Sequence, residues 1–168
     1  MPSEVDRGRL VGIAVRGARR EPMQHLQSVA ISIETGVSGD HKGAKFKNRA
    51  VTVLSLEAWR IALAELTDLA GPVDLPWAAR RANLLVEGLE LPKARGGILT
   101  IGPVRLEVTY PTQPCNRMDE AHPGLLRALG PDWRGGITAR VLQGGTIAIG
   151  DAAVVEVRPP RREPRLPA

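Results

Sequence analysis

What most limits the fold of this chain is a series of short runs rich in branched aliphatic residues, each stopped by glycine or proline before it reaches helical length. Residues 9–17 (RLVGIAVRG), 26–36 (LQSVAISIETG) and 50–55 (AVTVLS) are three expected strands. Residues 82–88 (ANLLVEG), 97–102 (GILTIG) and 104–110 (VRLEVTY) supply three more, the last two separated by Gly102 and Pro103 and so expected to pair across a tight turn. Residues 136–159 close the series with three short strands joined at Gly144, Gly145 and Gly150. One stretch has a different period. In SLEAWRIALAEL, Leu56, Trp59, Leu63 and Leu66 recur at three- and four-residue spacing behind Ser55, a good first-turn cap, and AGPVDLP then stops the helix. A shorter helix is expected over 123–129, with Pro123 in its first turn and Gly130 beyond its end. So many strands with one convincing helix predict a mainly β fold, an antiparallel β-barrel with a few peripheral helices, and argue against a parallel βαβ sheet.

The length of 168 residues suits one domain, expected over 1–157, and 43% apolar residues suffice for its core. Aromatic residues are scarce: the chain has one phenylalanine, one tyrosine and three tryptophans, so the core must be aliphatic and a base-stacking platform is hard to assemble. The formal charge is +5, but residues 158–168 (RPPRREPRLPA) hold four arginines against one glutamate. This tail is expected to be disordered, and without it the excess is too small to suggest a nucleic-acid-binding face. No apolar stretch is long enough to span a bilayer, and the N-terminal charges run in the wrong order for a secretory signal, so no membrane partner and a cytoplasmic location are expected.

Two segments carry possible chemistry. Residues 36–49 (GVSGDHKGAKFKNR) combine three glycines with Asp40, His41, Lys42, Lys45, Lys47 and Arg49. Such a loop can wrap a phosphate with its amides and neutralise it with its cations, although a glycine turn bearing solvated lysines would read the same way. The spacing is not that of a nucleotide P-loop. The second segment, YPTQPCNR, places the lone Cys115 on a loop stiffened by Pro111 and Pro114. That cysteine is either a small buried hydrophobe or a reactive thiol; an unperturbed value of about 8.5 would leave only a few per cent as thiolate at neutral pH. His25, His41 and His122 lack ligand spacing, so a zinc site is not expected. His41 beside Asp40 is either an oriented proton donor or a loop cap. Arg80, Arg81 and Asn83 stand at a strand entrance, where they either bind an oxyanion or are ordinary edge residues.

Taken in order, GVSGDHKG, Arg49 with Val51, RRAN, VRLEVTYPTQPC and RGGITARVLQGGTIAIGD resemble the MOSC domain, the family named for the C-terminal part of molybdenum cofactor sulfurases, from about Gly8 to Val157. The resemblance implies a barrel-like fold that binds the molybdenum cofactor, molybdopterin. It places Cys115 as the metal ligand, with Cys115, His41 and Asp40 as catalytic residues and Gly39, Lys42, Arg49, Arg81, Asn83, Thr112, Arg117 and Arg140 on the cofactor. Pyridoxal phosphate binding is a family association only. The implied activity is reduction of N-hydroxylated small molecules; the alternative is a sulfur-carrier or cofactor-handling domain with a persulfide on Cys115. Reductase members often have Arg-Glu-Asn where this chain has Arg81, Ala82 and Asn83, and they carry a helical C-terminal extension. As a minimal domain, the chain is expected to draw electrons or sulfur from a separate donor protein. A third reading, a binding module whose arginine tail recruits an acidic partner or RNA, makes nucleic acid the least expected partner.

Overall fold

A computed structural model describes residues 6–43, 45–112 and 115–160. In chain order the elements are β1 (Arg7–Val15), β2 (Gln24–His25), β3 (Ser28–Ser32), β4 (Gly36–Val37), β5 (Val51–Ser55), α1 (Leu56–Ala70), β6 (Leu84–Glu87), β7 (Ile98–Ile101), β8 (Val104–Pro111), α2 (Arg117–Ala121), α3 (Leu125–Leu129), β9 (Ile137–Gln143), β10 (Gly145–Ala148) and β11 (Ala152–Val157). Seven strands run β11-β7-β8-β9-β5-β6-β1, and β1 pairs back onto β11 to close a barrel. Closure removes the unpaired sheet edges that short strands would otherwise expose. β10 leaves the barrel after β9 and pairs instead with β3, which pairs with β4, in a small separate sheet. The three closing strands are thus present, but they do not form a simple meander.

Alternation along the strands explains the core. In β8, Val104, Leu106 and Val108 are buried while Arg105 is exposed. Inward residues of this kind, including Leu10, Val53, Leu84, Leu99 and Ile137, fill the barrel with aliphatic side chains. A second apolar cluster lies where α1 packs with α3, built on Trp59, Leu66, Leu125 and Leu129. α1 forms as its sequence predicts: the Ser55 hydroxyl accepts the Ala58 amide at 3.2 Å, Trp59 and Leu66 are buried, and Leu56 and Leu63 pack against the same cluster.

One pairing departs from the antiparallel expectation. β5 and β6 are parallel, with α1 as their crossover, so a single βαβ unit is built into the barrel. A buried asparagine fixes it. The Asn83 side-chain oxygen accepts the Thr52 amide (3.1 Å) and hydroxyl (3.0 Å), and its NH2 donates to the Ala14 carbonyl (3.3 Å), tying β6 to β5 and β1 together. Nothing in the local pattern of hydrophobic residues signals such a long-range knot.

The 111–133 region also differs. It holds two helices, and Pro123 lies between them rather than in the first turn of α3. The cause is Asp119 on α2, whose Oδ1 accepts the amides of Gly124 (3.2 Å) and Leu126 (3.0 Å) and so caps α3 from the preceding helix. The expectation that Pro114 holds the backbone before Cys115 lies outside the described residues, as does the 161–168 part of the tail. Arg158, where that tail begins, is anchored to Asp6 at 2.9 Å and donates to the Leu91 carbonyl. Among the described residues, no helix is long and apolar enough to cross a membrane.

Because Asn83→Leu orphans the Thr52 amide and the Ala14 carbonyl inside the barrel, it should lower unfolding free energy by about 3 kcal/mol. Urea denaturation reads this directly; a loss below about 1 kcal/mol would show that the knot is not needed for the parallel pairing.

Candidate functional site

The ends of β1, β5, β8 and β9 and the loops that follow β4 and β8 surround a cavity of about 940 Å³. Its charge is one-sided. Arg16 and Arg19 enter it from beyond β1, Lys42, Lys45 and Arg49 from the glycine loop, Arg80 and Arg81 from the turn before β6, and Arg117 from the start of α2. Among the described residues these are eight cations, and no aspartate or glutamate lines the cavity with them. Cys115 is exposed and lines the same space.

Local structure explains how each cation is held there. The Asp40 carboxylate accepts the backbone amides of Arg16 (3.1 Å) and Lys42 (3.4 Å), and the His41 amide donates to the Arg16 carbonyl (3.0 Å). The glycine loop is thereby sewn to the end of β1. Gly39, at φ +82, makes the turn into it. Arg80 is buried, donating through Nε to the Gly135 carbonyl (3.0 Å) and through Nη2 to the Thr112 carbonyl (3.3 Å), so it fixes the strand exit that leads to Cys115. Arg81 adopts φ +64, a left-handed conformation that a non-glycine residue takes only under local constraint. Gly136, at φ +96, cannot carry a side chain, since a Cβ there would lie 2.3 Å from the Val53 carbonyl oxygen.

Among the described residues, four buried side-chain polar atoms have no hydrogen-bond partner: Arg16 Nη1, Arg81 Nη1, His41 Nδ1 and Thr112 Oγ1. All four belong to residues that line this cavity. Buried polar groups are nearly always satisfied, so four orphans at one place are open to a polar ligand or to water. All four carry or can carry a proton to offer such a group, and the surrounding charge favours an anion.

The electrostatics agree with that reading. Burial, and after it the charge of Arg81, pushes the Arg16 guanidinium below its ordinary value. Burial and then Arg16 do the same to the Lys42 ammonium. Arg80 falls to about 10 through burial, and the neighbouring Cys115, as thiolate, works against the shift. These cations repel one another in a half-dry space, and a bound anion would relieve the repulsion.

Of the residues expected from the sequence, His41, Lys42, Arg49, Arg81, Thr112, Cys115 and Arg117 are brought together here. Others serve elsewhere. Arg140 projects from β9 to the Glu107 carboxylate at 2.5 Å, away from the cavity lining, because the two face each other across β8 and β9. Asn83 is consumed by the knot beneath the cavity floor. Asp40 spends both oxygens on backbone amides, so it shapes the loop rather than orienting His41 as an acid. Arg16 and Arg19 escaped the sequence reading; the cation run RGARR at a strand exit was their one signal. Among the described residues, no group of three or more His, Cys, Asp or Glu side chains could hold a metal ion.

The sequence model of the MOSC domain matches residues 38–154, from the glycine loop into β11. The chain belongs to the MOSC domain family. The MOSC barrel here is similar to that of the YuaD protein of Bacillus subtilis, with 16% identity and a TM-score of 0.74 over 89% of this chain and 95% of that one. It is also similar to YiiM of Geobacillus stearothermophilus (21% identity, TM-score 0.68, 90% of this chain and 76% of that one) and YiiM of Escherichia coli (18%, 0.65, 89% and 70%). At these identities the likeness shows the fold. Comparison with curated proteins gives no match.

Lys42 gives this MOSC cavity a pH signature. Its lowered value means that, in the window just below 10.5, the unfolded chain binds the proton that the native chain has already released. Stability contributed by this group therefore rises with pH across that window, while anion affinity falls. Calorimetric titration of inorganic phosphate between neutral and alkaline pH should show weakening before 10.5 in wild type and a flatter profile in Lys42→Met; identical profiles would separate Lys42 from the anion site.

Proposed function

We propose that the cavity binds the molybdenum cofactor, that Cys115 is the protein ligand of its metal, and that the chain reduces N-hydroxylated compounds with electrons from a separate donor protein. The observation that carries this reading is the coincidence of four unsatisfied buried polar atoms, eight cations and an exposed cysteine in one cavity of a MOSC fold. The residues fit the group. Arg16 and Arg81 offer free guanidinium donors to its phosphate, and Thr112 and His41 offer a hydroxyl and an imidazole nitrogen to its polar edges. A thiolate is the soft anionic ligand that a metal already held by dithiolene sulfurs accepts. When bound, the group supplies a metal centre able to deliver two electrons to an N–O bond.

The protein's own share is positioning and charge. Arg80 holds the strand exit before Cys115 through two carbonyls and keeps a positive charge beside the sulfur. His41 Nδ1 is buried and unpartnered, which supports its role as the group that would carry a proton to a leaving oxygen. The exposure of Cys115 also favours a second reading, in which the sulfur carries a persulfide and no metal is held.

Elemental analysis separates the two. Protein isolated under anaerobic conditions from cells that make the cofactor should contain about one molybdenum per chain. Cys115→Ser should lose most of the metal, and Arg16→Met should lower occupancy about tenfold through the lost charged hydrogen bonds. Absence of molybdenum from wild type, with one added sulfur on Cys115 by mass spectrometry, would contradict the reductase reading and support the persulfide.

A further inference from the structure

A second, smaller cavity of about 370 Å³ adjoins the first and differs from it in charge. Three segments meet there: the connection between β1 and β2, the turn that precedes β6, and α2. Arg81 and Arg117 line both spaces, so these two guanidinium side chains stand between them. Glu21 and Glu120 line the smaller space alone, and the rest of its lining, Met23 and Ala79 among it, is apolar. Among the described residues, the larger cavity is lined by cations without a carboxylate, whereas this annex has two charges of each sign.

Local structure brings the four charges together. The Glu21 amide donates to the Ala18 carbonyl at 3.2 Å and closes the turn that carries Glu21 to the annex. The Arg81 amide likewise donates to the Ala78 carbonyl at 2.9 Å. Arg117 and Glu120 lie three residues apart on α2 and so share a face. Opposite charges gathered in this way commonly pair, yet among the described residues none of the six ion pairs includes any of the four. Arg81 Nη1 is buried without a partner, and both glutamates are exposed. Charges of both signs that line one cavity without touching are free to engage a guest that carries both signs itself.

We infer that the annex recognises the headgroup of an α-amino acid, its ammonium held by Glu21 and Glu120, its carboxylate by Arg81 and Arg117, and its side chain directed past the arginines into the larger cavity. An ammonium alone would meet two guanidinium groups, and a carboxylate alone would meet two carboxylates; a zwitterion offsets all four charges. A guanidinium has N–H donors on both edges, enough to serve a guest on each side of it. That the headgroup belongs to the compound reduced in the larger cavity rests on the proposed reductase function, whereas zwitterion binding by the metal-free chain does not.

Calorimetry on metal-free full-length protein tests the annex with L-norleucine, pentylamine and hexanoate, which share one aliphatic chain and carry both charges, the ammonium alone and the carboxylate alone. Norleucine should bind at least about tenfold more tightly than pentylamine. Glu21→Gln and Glu120→Gln should each weaken norleucine about fivefold, while hexanoate binds these variants no more weakly than wild type because a like charge has been removed. Arg117→Met should show the opposite pattern, weakening norleucine and sparing pentylamine. Both glutamates are exposed, so their variants should keep the wild-type thermal midpoint. Pentylamine as tight as norleucine, or norleucine unchanged by both glutamine variants, would overturn the annex even if molybdenum is bound. Norleucine binding that depends on both glutamates, in a chain that never takes up molybdenum, would uphold the annex and remove the reductase reading instead.

Discussion

Like charge crowded at one end of a barrel is the constraint around which this molecule is organised. Among the described residues, eight cations surround the cavity without a lining carboxylate, and Arg16 and Lys42 are driven below their ordinary proton affinities by burial and by their neighbours. Such an arrangement opposes folding, because each charge loses water and gains repulsion. It persists because the scaffold is determined elsewhere. The aliphatic barrel interior and the α1–α3 cluster contain none of these cations, so apolar burial offsets the cost without requiring the site to be comfortable.

Polar positioning is divided between residues that build and residues that face the ligand. Asp40, Asn83 and the carbonyls of Gly135 and Thr112 are all spent on internal hydrogen bonds, and their task is to bring Arg16, the glycine loop and Arg80 to one place. Arg81, His41 and Thr112 keep an atom free. A carboxylate beside a histidine looks catalytic in a sequence. Here its oxygens hold backbone amides, and the histidine is left with an open nitrogen.

Much of the fold was legible because its signals are local. Ser55 and the Leu56–Trp59–Leu63–Leu66 spacing specify α1, and Gly102-Pro103 specifies the β7–β8 hairpin. What was illegible depends on partners far away in sequence. The parallel β5–β6 pair is tied by Asn83 to Thr52 across 31 positions, and α3 takes its cap from Asp119 on another helix. The site divides the same way. The glycine loop and the Pro-Cys exit stand out by composition, and the resemblance to the MOSC domain joined them. Arg16 and Arg19 look like ordinary surface charges until barrel closure turns the end of β1 inward. Arg140 shows the converse, a cation within a family motif whose strand neighbour Glu107 takes it out of the cavity.

The central claim is that this cavity exists to hold an anionic ligand against the unpartnered guanidinium nitrogens of Arg16 and Arg81. A crystal structure of the protein grown with inorganic phosphate tests it most directly. The account predicts phosphate within hydrogen-bond distance of Arg16 Nη1 and Arg81 Nη1, with both guanidinium groups already in place. A cavity free of anion at saturating phosphate, with Arg16 and Arg81 swung onto carboxylates of the protein, would contradict it.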